Sequence, residues 1–114
     1  MRDGRAARSS TYAVCWREAG GEFCAGELGL TDHLLRLDGK DQRGKPRILE
    51  IPYREVAGTR IGRQREERLD GRPTLVVELR TGRTLLIMSA VGLGIIHEVG
   101  DRLDACISGD RARP

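Results

Sequence analysis

The sequence predicts a mainly β fold that ends in one α-helix. Short apolar segments bounded by Gly, Pro and Asp recur along most of the chain and predict about seven strands. After Ser89 the apolar spacing lengthens to that of an amphipathic helix. The 114 residues suffice for one domain, and because aromatic residues make up only 4%, its core must be aliphatic.

The first two strands are predicted to form a hairpin. Residues 12–18 alternate between apolar and polar side chains, which indicates a strand with one buried face. The segment 22–30 follows after a turn at 19–21. A short loop over that turn pairs Glu18 with Glu22, and this register puts the large apolar side chains of both strands on one face.

The same register separates two of the cysteines. It places Trp16 beside Cys24 and sends Cys15 to the opposite face, so a bridge between Cys15 and Cys24 is not expected. A two-residue turn at Gly20-Gly21 would reverse that conclusion. With Cys106 the chain has 3 cysteines, and an odd count without a secretion signal argues against a disulfide framework.

The middle of the chain alternates strands with polar loops. A tight turn at 31–33 separates two strands. The charged segments 38–46 and 64–72 are rich in turn-forming residues and are expected to be exposed loops. The other predicted elements are strands at 34–37, 47–52 and 58–63, a tight connector at 53–56, and a hairpin of 74–79 with 83–88 around Thr81-Gly82.

The helix is predicted to begin after Ser89, a plausible N-cap residue. Its buried face would carry apolar residues at helical spacing. Glycines at 92, 94 and 100 weaken helix propensity, and we expect close approach to the sheet to compensate. The apolar positions are Leu93, Ile96, Val99, Leu103 and Ile107, with Gly100 and Cys106 beside them.

The chain ends are polar and rich in arginine. We expect disordered tails at 1–10 and 109–114 around one domain at 11–108. The N-terminus lacks the apolar stretch of a signal peptide, and no apolar run reaches the length of a membrane span. These observations favour a cytoplasmic protein.

Two segments carry a resemblance to a known group of domains. Residues 26–37 (GELGLTDHLLRL) resemble the G-x-L-x-L-T-x-x-x-L hairpin of GRAM-like and bacterial pleckstrin-homology (PH) domains. Residues 48–56 (ILEIPYREV) are similar to the I-P element that follows it in that group. The resemblance covers about residues 11–108. It implies a PH-like barrel of antiparallel strands capped by the helix, in a superfold that hosts binding and scaffolding modules rather than enzymes.

No pattern of catalytic, cofactor-binding or metal-binding residues is present in the sequence. His33 is expected in a turn and His97 on the wet side of the helix, and neither has metal-ligand spacing to a cysteine. The glycines at 92 and 94 lack the further glycine of a dinucleotide-binding loop. We therefore predict a non-enzymatic module without a cofactor.

A protein is the expected partner, either another chain or a second copy in a homodimer. The candidate interface consists of Cys15, Phe23 and Ala25, which the register places on the outward face of the first hairpin as an apolar patch. Nucleic acid is disfavoured, because base stacking needs exposed aromatic side chains and the register places Tyr12 and Trp16, two of the chain's four aromatic residues, inside.

The alternative is attachment to an anionic membrane surface at the inner face of the membrane. Lipid-binding PH domains gather cations around their first loop, but here 18–22 is acidic and rich in glycine. Two other segments, 36–47 and 60–72, are basic. Their candidate contacts are Arg36, Lys40, Arg43, Lys45 and Arg47 in the first segment, and Arg60, Arg63, Arg65, Arg68 and Arg72 in the second.

Overall fold

The computed structural model describes residues 10–69, 71–89 and 91–111. They form seven strands and one long α-helix, as the sequence predicts. The predicted tail segments 1–9 and 112–114 lie outside the described residues. The strands are β1 Ser10–Glu18, β2 Cys24–Leu30, β3 Leu34–Asp41, β4 Pro46–Pro52, β5 Val56–Gly62, β6 Thr74–Leu79 and β7 Thr84–Ser89, and helix α1 spans Leu93–Arg111. Two short 3-10 turns lie at Tyr53–Glu55 and Arg65–Glu67.

All seven strands belong to one antiparallel sheet. Its order is β4-β3-β2-β1-β7-β6-β5, so β4 and β5 are the edges. The sheet curls into a half-barrel, and α1 packs against β5, β6, β7 and the 3-10 turn after β4. The helix thus covers one half of the concave face and leaves the β4 edge away from it.

The register of the first hairpin is confirmed. Trp16 pairs with Cys24, and Val14 pairs with Gly26. The side chains of Trp16 and Cys24 are both buried in the main core, whereas Cys15 lies on the other face of β1. The described cysteines form no disulfide with one another. The alternation of apolar residues was therefore sufficient to fix the pairing of these strands.

Two apolar clusters hold the sheet. The larger one fills the concave face and includes Trp16, Leu35, Ile51 and the buried face of α1. The second lies on the opposite face and consists of Leu69, Val76, Leu86 and Met88. β6 and β7 therefore bury both of their faces, which explains why their sequences are almost continuously apolar.

The second cluster corrects the prediction for residues 64–72. Leu69 is buried at 3% exposure. Its backbone exchanges N–H···O bonds of 2.9 and 3.0 Å with that of Arg72. The Thr74 hydroxyl donates to the Glu67 carbonyl at 2.6 Å and ties the segment to β6. This charged segment is folded over the sheet, because one leucine anchors it, and is not a wholly solvated loop.

Helix α1 differs from the prediction at both ends. Ser89 is not its N-cap: it is the buried last residue of β7, and its hydroxyl accepts the Val91 N–H at 3.0 Å. The helix begins at Leu93 and continues to Arg111, so it includes residues 109–111 of the predicted C-terminal tail. Close approach to the sheet is confirmed for Gly100 alone, since a Cβ there would meet Leu75 Cδ1 at 3.2 Å whereas one at Gly94 would meet open space.

The strands around the third hairpin are longer than predicted. The sequence suggests an exposed loop over 38–46, but β3 runs to Asp41 and β4 starts at Pro46. Ladder pairs from Asp38–Ile48 to Lys40–Pro46 extend the sheet through most of that segment. Residues 38–41 therefore continue a paired strand, the connection is confined to 42–45, and this extension positions the candidate site.

Candidate functional site

The outer side of β4 carries backbone groups that no described strand pairs with. Hydrogen bonds at the two ends of the β3–β4 ladder set the alternation: Tyr53 N–H donates to the His33 carbonyl at 3.1 Å, and Asp41 N–H donates to the Lys45 carbonyl at 3.0 Å. In an antiparallel pair every second residue bonds inward. With this register, Leu49 bonds toward β3, while the N–H and C=O groups of Ile48 and Glu50 point outward.

The side chains of β4 divide between the two faces of the sheet. Ile51 is buried and Leu49 is half-buried against the main core. Ile48 points to the other face and is 58% exposed, the one exposed large apolar side chain of the described strands. Prolines at 46 and 52 bound the strand. The outward donors of β4 are thus limited to its central residues.

A groove of about 390 Å³ lies between β4 and the β1–β2 turn. Its lining includes Trp16, Cys24 and Leu49. Burial raises the pKa of the Cys24 thiol, although Arg47 acts in the opposite direction, so this thiol is held in its neutral form. Other lining residues come from the turn at 18–22 and from Ile48. The groove therefore runs beside the same edge that carries the unpaired backbone groups.

Arg47 fixes the start of β4 to the neighbouring elements. Its guanidinium contacts Glu22 at 3.3 Å and the Asp41 carboxylate at 3.1 Å. Asp41 also accepts the backbone N–H groups of Arg43 at 2.9 Å and Lys45 at 3.0 Å. Burial alone would raise the pKa of Asp41, but these hydrogen bonds outweigh it and lower that pKa. The hairpin tip and the rim of the groove are held in place by this one carboxylate.

The third charged residue that lines the groove, Glu18, is also ion-paired. Glu18 accepts two hydrogen bonds from the Arg83 guanidinium, at 2.5 and 2.9 Å. Since Glu18 and Glu22 each face an arginine, the rim offers little net charge to a ligand. Recognition along this edge would depend on backbone hydrogen bonds and apolar contact.

The predicted interface of Cys15, Phe23 and Ala25 is not a free apolar patch. Cys15 and Phe23 are half-buried and pack against the second cluster, to which Leu69 contributes. Only Ala25 is exposed. The prediction placed these residues on the correct face but omitted the segment that folds over it. The outward apolar residue that sequence reasoning missed is Ile48, and the signal was its place in an alternating strand between two prolines.

The two basic segments are separated in the fold. By the register of the sheet, the turn at 42–45 leaves the same end of the strands as the β1–β2 turn. The segment 63–73 leaves the opposite end, beside the end of β7. Three of the predicted contacts are already ion-paired within the chain: Arg36 with Glu50 and Asp38, Arg47 with Asp41 and Glu22, and Arg60 with Glu67 and Glu78. Lys40, Arg43 and Lys45 are exposed around the turn at 42–45.

A second cavity, of about 530 Å³, is lined by three arginines and a glycine. Arg68 is held by its own loop, because its guanidinium donates to the Arg63 carbonyl at 2.8 Å and to the Gly71 carbonyl at 3.4 Å. Arg63 and Arg65 are exposed. The cavity therefore presents positive charge at the helix-side end of the sheet.

An apolar protrusion adjoins that basic cavity. Val91 is 77% exposed and Leu93 is 36% exposed. Both line a neighbouring cavity of about 370 Å³ together with Arg72. None of the described helices is long and apolar enough to cross a membrane. Cations and exposed apolar side chains nevertheless share this end of the sheet.

The described residues contain no group of three or more His, Cys, Asp or Glu side chains placed to hold a metal ion. His33 lies in the exposed β2–β3 turn, at the far end of β2 from the residue that pairs with Cys15. His97 is exposed on α1. The fold therefore does not bring Cys15 and His33 together.

The chain matches no protein-family model and no curated protein. The resemblance to GRAM-like and PH domains therefore stays a prediction.

Proposed function

We propose that this chain is a non-catalytic binding module that takes up an extended segment of a protein partner along the edge of β4. The single observation that carries the proposal is the outward direction of the N–H and C=O groups of Ile48 and Glu50 on an edge that no described strand covers. Addition of a strand to a sheet edge gains affinity from such groups.

The surroundings of the edge supply apolar contact on both faces. On the convex face, Ile48 would cover alternate side chains of an added strand. On the concave face, Leu49 and the groove beside Trp16 would receive the others. Main-chain bonds would give affinity, and these two surfaces would select for apolar side chains at alternate positions.

The opposite edge is less suited to the same role. Helix α1 reaches over β5: Thr59 Oγ1 donates to Asp104 Oδ1 at 2.6 Å, and Arg111 donates to the Val56 carbonyl at 3.3 Å. Natural proteins commonly protect edge strands with such a covering element. On β4 the prolines shorten the edge but leave its centre open, which favours β4 as the binding strand.

Selection from a library of random peptides tests the proposal. Glu50→Pro removes one outward N–H, and proline is tolerated where the N–H of an edge strand faces solvent. Glu50→Ala is the matched control, since it removes the same side chain and its ion pair with Arg36 but keeps the N–H. We expect selected peptides to bind the parent and Glu50→Ala at least about tenfold more tightly than Glu50→Pro. Equal affinity for all three proteins, or the absence of selected peptides for a monomeric parent, would contradict the proposal.

A second candidate function is attachment to an anionic bilayer through the helix-side end of the sheet. The observation that favours it is the exposure of Val91 and Leu93 next to Arg72 and the cavity lined by Arg63, Arg65 and Arg68. Apolar side chains can enter the headgroup boundary while arginines contact lipid phosphates, at about 1 kcal/mol per cation near the surface. The segment 36–47 is not needed for this contact.

Sedimentation with vesicles tests the second candidate. We expect binding to phosphatidylglycerol vesicles at low salt, little binding to phosphatidylcholine vesicles, and loss at high salt because exposed charges are screened. Val91→Asp should weaken binding, and Ile48→Asp, at the other exposed apolar site, should not. Salt-independent binding, or no binding at low salt, would remove this candidate.

The architecture of the sheet and helix supports a place for this chain among PH-like domains. The strand order β4-β3-β2-β1-β7-β6-β5 with a C-terminal helix agrees with what the resemblance of residues 26–37 and 48–56 implies. In that superfold binding is the common activity, which is consistent with a non-catalytic role.

A further inference from the structure

We infer that the strand that fits the β4 edge is β4 of a second copy, paired antiparallel about a two-fold axis that passes Leu49. This inference rests on the proposed function, because it names the partner at the same edge. It would join two copies into one continuous sheet through an interface in which each copy contributes the same strand.

The argument starts from the symmetry of β4 about Leu49. The residues with outward backbone groups, Ile48 and Glu50, flank Leu49 directly, and Pro46 and Pro52 stand equally far from it. In an antiparallel two-fold pair, Ile48 of one copy therefore lies opposite Glu50 of the other. Each such pair exchanges both of its N–H···O bonds. The ladder ends where Pro46 lies opposite Pro52 of the other copy, because proline has no backbone N–H to donate.

Other registers are less complete. A shift by two residues places a proline opposite Ile48 or Glu50, and one outward carbonyl then lacks its donor. A shift toward Pro52 also places Glu50 opposite Glu50 of the second copy, and like charges that face each other across strands are destabilising. The register centred on Leu49 is the one that uses every outward N–H and C=O group of Ile48 and Glu50.

The side chains agree with the same register. On the concave face, the half-buried Leu49 would lie beside Leu49 of the second copy and extend the apolar surface that it already joins. On the convex face, the exposed Ile48 would lie beside Glu50 of the second copy. That carboxylate contacts Arg36 at 2.5 Å, so it would enter the interface with its charge already compensated.

Engineered cross-linking reports the register directly. Leu49 faces Leu49 of the second copy as a non-hydrogen-bonded pair, whose Cα atoms lie about 4.5 Å apart, within the range that a disulfide spans. We expect Leu49→Cys to form a disulfide-linked dimer on mild oxidation, at least about tenfold more than Ile48→Cys, which the register offsets from its counterpart. The parent, with its native cysteines, gives the background.

Molar mass measured by light scattering over a wide concentration range completes the test. We expect dimers for the parent and Glu50→Ala, and monomers for Glu50→Pro. A dimer that survives Glu50→Pro, or cross-linking at Ile48→Cys equal to that at Leu49→Cys, would overturn the inference.

The outcomes also separate this inference from the proposed function. A parent that stays monomeric while selected peptides still bind it through the Glu50 N–H would overturn the second copy as partner and retain the strand-addition site. A monomeric parent without any peptide binding would overturn both.

Discussion

Gly26 of β2 lies directly opposite Gly39 of β3, so close that neither position has room for a side chain. A Cβ on Gly26 would stand 2.5 Å from the Gly39 Cα and 2.2 Å from the Asp38 carbonyl oxygen, and one on Gly39 would stand 2.0 Å from the Ala25 carbonyl oxygen. Glycine pairs of this kind permit tight bends in a sheet. In this chain the β3–β4 hairpin, with its open edge, lies beside the β1–β2 turn, where Arg47 contacts Glu22.

Gly26→Ala should destabilise the fold, because the added methyl group must displace backbone atoms of β3. We expect the free energy of unfolding in urea to fall by about 1–3 kcal/mol. Gly58→Ala is the control, since a Cβ there meets open space in another strand. A loss for Gly26→Ala no larger than that for Gly58→Ala would contradict the close approach of these strands.

The glycines of α1 should respond differently to alanine. Gly94→Ala should raise the free energy of unfolding by about 0.5 kcal/mol, because alanine favours the helix and the site is open. At Gly100 the new Cβ would press on Leu75, which is fully buried, at 3.2 Å. For Gly100→Ala, the increase in the free energy of unfolding should therefore be smaller than for Gly94→Ala, or should become a decrease. Denaturant titrations with equal gains for both variants would contradict the contact between α1 and β6.

Asp41→Asn should make the free energy of unfolding depend less on pH under acidic conditions. The hydrogen bonds to Asp41 lower its pKa in the folded state. Its contribution to the free energy of unfolding is therefore present above the ordinary carboxyl pKa of about 4 and is lost as the pH falls through the lowered pKa. As the pH falls below this carboxyl range, we expect the free energy of unfolding of the parent to decrease more steeply than that of Asp41→Asn. Asp101→Asn removes an exposed carboxylate of α1 and controls for net charge. Parallel profiles for the parent and Asp41→Asn would refute the role given to this carboxylate.

Leu69→Ala should cost about 2 kcal/mol of the free energy of unfolding, because it removes the anchor of the second cluster. Phe23, which packs against the same cluster, should become more exposed to water. Arg65→Ala, in the same segment but exposed, should change stability by less than about 0.5 kcal/mol. Thermal and urea unfolding of the two variants gives the comparison. If Leu69→Ala lowered the free energy of unfolding as little as Arg65→Ala does, this segment would not cover the sheet.

Sequence reasoning was most successful where one periodic pattern settled the structure. The register of Trp16 with Cys24 is confirmed because only one pairing buries the large apolar groups of both strands together. The same holds for α1, whose buried residues recur at helical spacing. At residues 64–72 it was least successful. Their many charged residues predict an exposed loop. The one leucine that anchors them to the sheet, Leu69, is not part of any periodic apolar pattern and so gives no signal in the sequence.

The amino-acid pattern alone determined the class of fold, the order of the elements and the first hairpin, because these depend on local periodicity and turn residues. The tertiary structure decided which strand edge is open and which outward face is covered. Cys15 and Phe23 pack against a cluster to which the distant segment 64–72 contributes Leu69, and the direction of the Ile48 and Glu50 backbone groups depends on how β3 pairs with β4. Both are consequences of long-range packing, which the spacing of residues along the chain does not specify.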